Sequence, residues 1–218
     1  KLSKHLKAPI LADSLSQMRF SNDNTLNLYD HYIEDDAINP DLIIRIGQKP
    51  VSKKLCKKLD IWKDKTLNRL EFSSLLIDEC GRFNDDAPTI VPLNYKQFID
   101  FLIKNTKENT NNDFYNYLIS LDKKVAKIIQ DEQQWSELII AKSCLCSIEK
   151  DENFIIGNSM PIRYIDMLGR LANNINTYSN RGASGIDGII ATALGISRSS
   201  QKKTTLLIGD LSFIYDQN

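Results

Sequence analysis

Three times in its last third, the chain runs from a short apolar stretch into a turn that carries glycine, at 157–163, 179–188 and 209–212. The first two turns are followed by helical patterns. Strand, loop and helix in that order describe an α/β arrangement with buried parallel strands. Ligands of open parallel sheets bind outside the carboxyl ends of the strands, so the three turns are expected at one edge of one sheet. Glycine usage agrees: seven of the nine glycines lie between Gly157 and Gly209, and only Gly47 and Gly81 precede them. The first part therefore reads as scaffold and the last part as site.

In the first part, Pro9–Ala12, Asp41–Gly47 and Leu75–Asp78 read as strands. Asn24 or Thr25 is expected to cap a helix through Leu28, Tyr32 and Ile33, and Ser52 another through Leu55 and Leu59. Tyr95–Ile103, with Phe98, Phe101 and Leu102 on one side, closes this domain. The polar stretch 104–113 has no apolar period, which places a junction there and domains at 1–107 and 108–218. Beyond it, Phe114, Leu118, Leu121, Val125 and Ile128 form a helical packing stripe, and Ser136 caps a helix through Leu138, Ala141, Leu145 and Ile148.

Composition narrows the function classes. A chain of 218 residues can bury roughly 70% of its unfolded surface, so a core forms without staples. Twenty-eight basic and twenty-eight acidic side chains cancel, leaving no global field for nucleic acid or an anionic membrane. Cys56, Cys80, Cys144 and Cys146 have neither zinc spacing nor disulfide density and read as reduced thiols. No apolar run has the roughly 20 residues of a membrane span and no signal-type segment opens the chain, so a soluble, cytoplasmic protein is expected. The first residues read as the end of a helix entering a strand, which suggests an internal fragment. His5 and His31 lack partners in sequence, and Lys53, Lys54, Lys57 and Lys58 read as a solvated helix face.

The chemistry concentrates in the three turns. In Ile208-Gly209-Asp210 a glycine permits close backbone approach and a carboxylate offers a hard oxygen to a cation such as Mg²⁺; a helix-capping aspartate is the ordinary alternative. Ser212 suits either a helix cap or a phosphate oxygen. Arg181, ahead of Gly182, Gly185 and Gly188, can grip a carboxylate with two donors or pair with Asp187, and a helix is expected to begin at about Ile186. Arg163 lies one helical turn from Ser159, whose hydroxyl either caps that helix or faces the site. Ile46-Gly47-Gln48-Lys49-Pro50 has too few glycines for a dinucleotide pyrophosphate.

Gly157-Asn158-Ser159-Met160-Pro161-Ile162-Arg163, the segment Ser179 to Gly188, and Leu207-Ile208-Gly209-Asp210-Leu211-Ser212 together closely resemble the 2-succinyl-5-enolpyruvyl-6-hydroxy-3-cyclohexene-1-carboxylate synthase family (SEPHCHC synthases). The match is close in the last third and fair, in strand and turn positions, over the first half. Leu211 replaces the glycine of the general thiamine diphosphate motif and matches this family's Gly-Asp-Leu-Ser form. The resemblance implies the thiamine diphosphate-enzyme fold: a central parallel-sheet α/β domain at 1–107, truncated at its amino end, and the first half of the diphosphate-binding α/β domain at 108–218, truncated at its carboxyl end. It implies that Gly209, Asp210 and Ser212 bind the cofactor, with Asp210 a ligand of Mg²⁺ (or Mn²⁺). It implies that Ser159, Arg163 and Arg181 contact substrate carboxylates, and that Asn158 and Ile186 line the cavity. The catalytic glutamate of the family maps to nothing in this chain.

The activity so implied is that of a carboligating transferase. It would decarboxylate 2-oxoglutarate and add the succinyl carbanion to isochorismate, in menaquinone (or phylloquinone) biosynthesis, within a homodimer or homotetramer; the fragment alone would be inactive. Two other readings are another thiamine diphosphate-dependent 2-oxo acid lyase, such as an acetolactate-synthase relative, and a non-catalytic α/β assembly module. Paired Arg163 and Arg181 favour the synthase, because pyruvate has less use for two cations.

Overall fold

The computed structural model describes residues 1–21, 24–66, 74–80, 89–182 and 185–216. Gly81, Ala183 and Ser184 of the patterns above lie outside them. In chain order the elements are α1 (Leu2–Leu6), β1 (Ile10–Leu11), α2 (Gln17–Ser21), β2 (Thr25–Leu26), a 3-10 turn (Tyr29–His31), β3 (Ile43–Ile46), α3 (Lys53–Thr66), β4 (Ser74–Ile77) and β5 (Thr89–Val91). They continue with α4 (Tyr95–Asn105), α5 (Asp113–Asp131), α6 (Glu137–Cys146), β6 (Asn153–Ile156), α7 (Met160–Met167), β7 (Asn176–Tyr178), α8 (Ile189–Ser200), β8 (Thr204–Leu207) and α9 (Asp210–Tyr215). All strand pairings among the described residues are parallel, as the α/β reading expects.

The chain separates into two units, Lys1–Pro9 with Asp30–Ile119, and Ile10–Tyr29 with Ser120–Asn218. The first unit holds the three-stranded sheet β3-β4-β5. The strands expected at 41–47 and 75–78 are β3 and β4; β5 carried too short an apolar run to be read. Ser52 caps α3 as expected, its hydroxyl accepting from Leu55 N at 3.0 Å while donating to Asp30. Lys54 and Lys58 on that helix pair with Glu34 and Asp36 at 3.3 and 3.2 Å, contacts that stabilise little at a surface.

One expected helix is absent. The stretch from Thr25 through Ile33 forms β2 and a 3-10 turn, with β2 paired to β1. Every residue from Thr25 to Tyr29 is buried. A surface helix exposes part of each turn, so five consecutive buried residues suit an extended segment threaded through a core.

The second unit holds the sheet β7-β6-β8. All four residues of the central strand β6 are buried, the signature of a parallel strand covered on both faces. Ser136 caps α6 by accepting from Ile139 N, and the Lys142 ammonium on α6 closes the end of α5 by donating to the carbonyls of Ile129, Gln130 and Glu132 at 2.7, 3.0 and 3.0 Å. The stripe expected on α5 turns by one residue at its end: Ile128 is 65% exposed and Ile129 is 7% exposed. The 3.6-residue period drifts against a strict 4, 3, 4, 3 spacing, and the next inward position falls on Ile129.

Where β6 ends, its backbone touches that of β8. Gly157 N donates to Leu207 O at 2.8 Å, and a Cβ on Gly157 would stand 3.0 Å from Leu207 O and 3.3 Å from Ile208 Cα. Both are backbone atoms that cannot rotate away. Gly157→Ala is therefore expected to cost about 1–3 kcal/mol, the range for overpacking. Urea unfolding measures it, and unchanged stability would contradict this close approach.

Candidate functional site

The strand register sets where the three turns emerge. Ile156 pairs with Leu207 and Ile155 with Tyr178, so β6, β8 and β7 give way to loops at Gly157, Ile208 and Ser179, on the same edge of the sheet. The chain runs from β6 to β7 on one side and then to β8 on the other. That reversal is the topological switch point at which α/β sheets open a crevice.

Asn158 is buried and holds the second turn in place. Its side-chain amide donates to Gly185 O at 2.6 Å and to Asn180 O at 3.1 Å, and the Ser179 hydroxyl lies 3.5 Å from its Oδ1. Asn180 in turn donates to Thr192 Oγ1 on α8 at 3.1 Å. Beside Asn158, Ser159 has φ 71° and ψ −123°, outside the regions open to L-residues, and its side chain makes no cap bond to α7. The capping role expected for Ser159 is thereby corrected. Strain of this kind persists where the surroundings over-determine it, and it leaves the hydroxyl uncommitted to the helix.

Arg163 lies one turn into α7, half-buried, with Nη1 3.6 Å from Met160 Sδ. The helix under it is pinned from below. Asp166 accepts from Arg19 Nη1 at 2.6 Å and from Ser14 N at 3.0 Å, while Arg19 Nη2 donates to the carbonyls of Asp166 and Asn27, each at 2.6 Å. Arg19 is fully buried, and burial pushes the Asp166 carboxyl up to about 6 against the opposing pull of the guanidinium.

Arg181 and Ile186 are half-buried members of the second turn. The helix expected from about Ile186 starts later, at Ile189, because Gly188 takes a left-handed conformation (φ 73°) and forms the N-cap. In the third turn Gly209 is the N-cap of α9 and Asp210 its first residue. Asp210 is exposed, with Leu211 N donating to its Oδ1 at 2.8 Å. Ser212 is a buried residue within α9, not its cap, which corrects one of the two roles read for it.

These residues fit an anionic cofactor with a divalent cation. A Cβ on Gly209 would meet nothing within 4 Å, so the backbone there is open to close approach, and the adjacent Asp210 offers hard oxygens. Among the described residues no group of three or more His, Cys, Asp or Glu side chains could hold a metal by itself. A cation bound through Asp210 would need its remaining ligands from the cofactor and from other groups. No described helix is long and apolar enough to cross a membrane, and all four cysteines are free.

The structure adds three residues that sequence reading passed over. Arg19 and Asp166 meet across 147 positions, and Asp216 reaches back to the second turn. No local pattern marks such partners; the one signal was an arginine set beside Phe20 in an otherwise unexplained stretch.

No family model matches the chain. Among curated proteins, it is 33% identical over 232 residues to the 2-succinyl-5-enolpyruvyl-6-hydroxy-3-cyclohexene-1-carboxylate synthase of Bacillus pumilus (strain SAFR-032), a match covering 100% of this chain and 39% of that protein. It is 34% identical to the same-named synthase of Staphylococcus haemolyticus (strain JCSC1435) and 36% identical to that of Staphylococcus aureus (strain JH9), each covering 96% of this chain and 37% of the relative. The chain is homologous to these synthases. It spans 37–39% of the length of the SEPHCHC synthases it matches. The homology runs through both units, and all three turns fall in the second.

Proposed function

We propose that the chain is part of a SEPHCHC synthase, with 1–107 its central domain and 108–218 the first part of its diphosphate-binding domain. The observation that supports this most is the convergence of the three turns at one switch point, within a chain homologous to these synthases along its length. Asp210 and Gly209 would hold Mg²⁺ or Mn²⁺ and the diphosphate of thiamine diphosphate, with Ser212 at the same segment. Thiamine diphosphate, when bound, supplies the electron sink for loss of CO₂ from a 2-oxo acid.

The chain's own part is to orient and neutralise. 2-Oxoglutarate and isochorismate both carry carboxylates, and Arg163 and Arg181 are cations on two turns of one edge. Ser159 is free of a capping bond, and Asn158 fixes the turn that bears Arg181 and Ile186. Holding carboxylates in this way positions a reacting carbon that offers no handle of its own.

In the full-length gene product, release of CO₂ from 2-oxoglutarate that requires thiamine diphosphate and Mg²⁺ tests the reading; preference for pyruvate would move it to an acetolactate-synthase relative. Arg181→Ala is expected to lower kcat/KM for 2-oxoglutarate by about 2 kcal/mol, roughly thirtyfold, the scale of a hydrogen bond to a charged group. Unchanged kinetics would remove Arg181 from the site.

A further inference from the structure

Two of the three turns carry different tasks in the proposed function, Arg181 for carboxylates and Asp210 for the metal, and one side chain ties them together. Asp216 follows α9 directly, its own N–H donating to Ser212 O at 3.2 Å. Its carboxylate spans the entry to α8: Oδ1 accepts from Gly188 N at 2.5 Å and Oδ2 accepts from Ile190 N. Gly188 occupies the N-cap of α8 and has no side chain with which to satisfy those donors. The cap is therefore supplied from 28 residues further on, by a charged group placed at the positive end of the helix dipole.

The position of this cap matters more than its strength. Asp210 and Asp216 bracket the six-residue α9, so a shift at the metal-type turn moves Asp216 as part of one short rigid element. Gly188 is the last residue of the turn that holds Arg181 and Ile186, and the other anchor of that turn, Asn158, grips Asn180 and Gly185 from β6. With Asn158 gripping Asn180 and Gly185, and Asp216 gripping Gly188 and Ile190, the described residues of the turn are held from two sides.

We propose that Asp216 is a positioning residue that couples the Asp210 segment to the Arg181 turn, so that occupation of the cofactor segment orders the turn that receives the substrate carboxylate. This rests on the proposed function. Binding at Asp210 would steady α9, α9 would hold Asp216, and Asp216 would fix the backbone amides of Gly188 and Ile190. A cap with only a structural role would lower thermal stability and leave substrate affinity alone.

Hydrogen exchange of the full-length gene product, with and without thiamine diphosphate and Mg²⁺, tests the coupling. In the wild type, protection is expected to rise at 209–216 and also at 185–192; in Asp216→Ala it rises at 209–216 only. Protection at 209–216 without any change at 185–192 in the wild type overturns the inference and leaves the cofactor site standing. No protection in either segment overturns the cofactor site, and the inference with it. In steady-state kinetics Asp216→Ala is expected to raise KM for 2-oxoglutarate about tenfold, as loss of charge-assisted hydrogen bonds would. In an Arg181→Ala background the same change adds less than about twofold, because both act through one turn. Fully multiplicative losses, or a fall in melting temperature with KM unchanged, contradict the proposal.

Discussion

Asp166→Asn destabilises the folded protein by about 3–5 kcal/mol, the cost of leaving one member of a buried ion pair without its partner. Arg19 has no exposed side-chain surface, and its guanidinium meets the Asp166 carboxylate at 2.6 Å. Asparagine keeps the shape and removes the charge that meets the buried guanidinium. The segment carrying Arg19 and Ser14 would then lose its hold on α7, the helix that bears Arg163. Replacing both partners, as Arg19→Met with Asp166→Leu, should recover most of the loss, since buried pairs are often matched by well-packed apolar residues. Urea unfolding of the three proteins decides the matter. A loss under about 1 kcal/mol for Asp166→Asn, the value of a surface pair, would show that water reaches this contact.

Asp210→Ala, in the full-length gene product, should weaken Mg²⁺-dependent retention of thiamine diphosphate by more than about a hundredfold, the upper limit for losing a mere outer-shell partner of a metal. The side chain is exposed and, among the described residues, accepts a hydrogen bond from the neighbouring Leu211 N only, so the fold should survive the change. Calorimetric titration with cofactor and Mg²⁺ reads the affinity, and circular dichroism checks that the helices remain. Undiminished binding would reduce Asp210 to the helix-start role that an aspartate at this place ordinarily has.

Much of the α/β character was legible because parallel strands leave short apolar runs and glycine leaves turns. Phe154-Ile155-Ile156 and Leu207-Ile208-Gly209 marked the edge at which the three turns emerge. What escaped the sequence was set by partners distant along the chain. Contacts such as Arg19 with Asp166 and Gln17 with Thr177 bring Ile10–Tyr29 into the second unit, and the hydrophobic spacing of Leu28, Tyr32 and Ile33 mimics a helix where the chain forms β2 and a 3-10 turn. Ser159 looked like a cap by residue type, yet its backbone takes a strained conformation that only the surrounding fold determines. Asp216 carries no signal of its own, because the donors it satisfies belong to Gly188 and Ile190, far upstream.

The most direct test of the account is mass spectrometry of the products formed by the full-length gene product from 2-oxoglutarate and isochorismate, with thiamine diphosphate and Mg²⁺. The account predicts a succinyl adduct of isochorismate, formed with release of one CO₂ per adduct and reduced roughly thirtyfold in the Arg181→Ala protein at substrate levels well below KM. Folded, cofactor-loaded protein that yields no adduct, or that consumes pyruvate in place of 2-oxoglutarate, would contradict it.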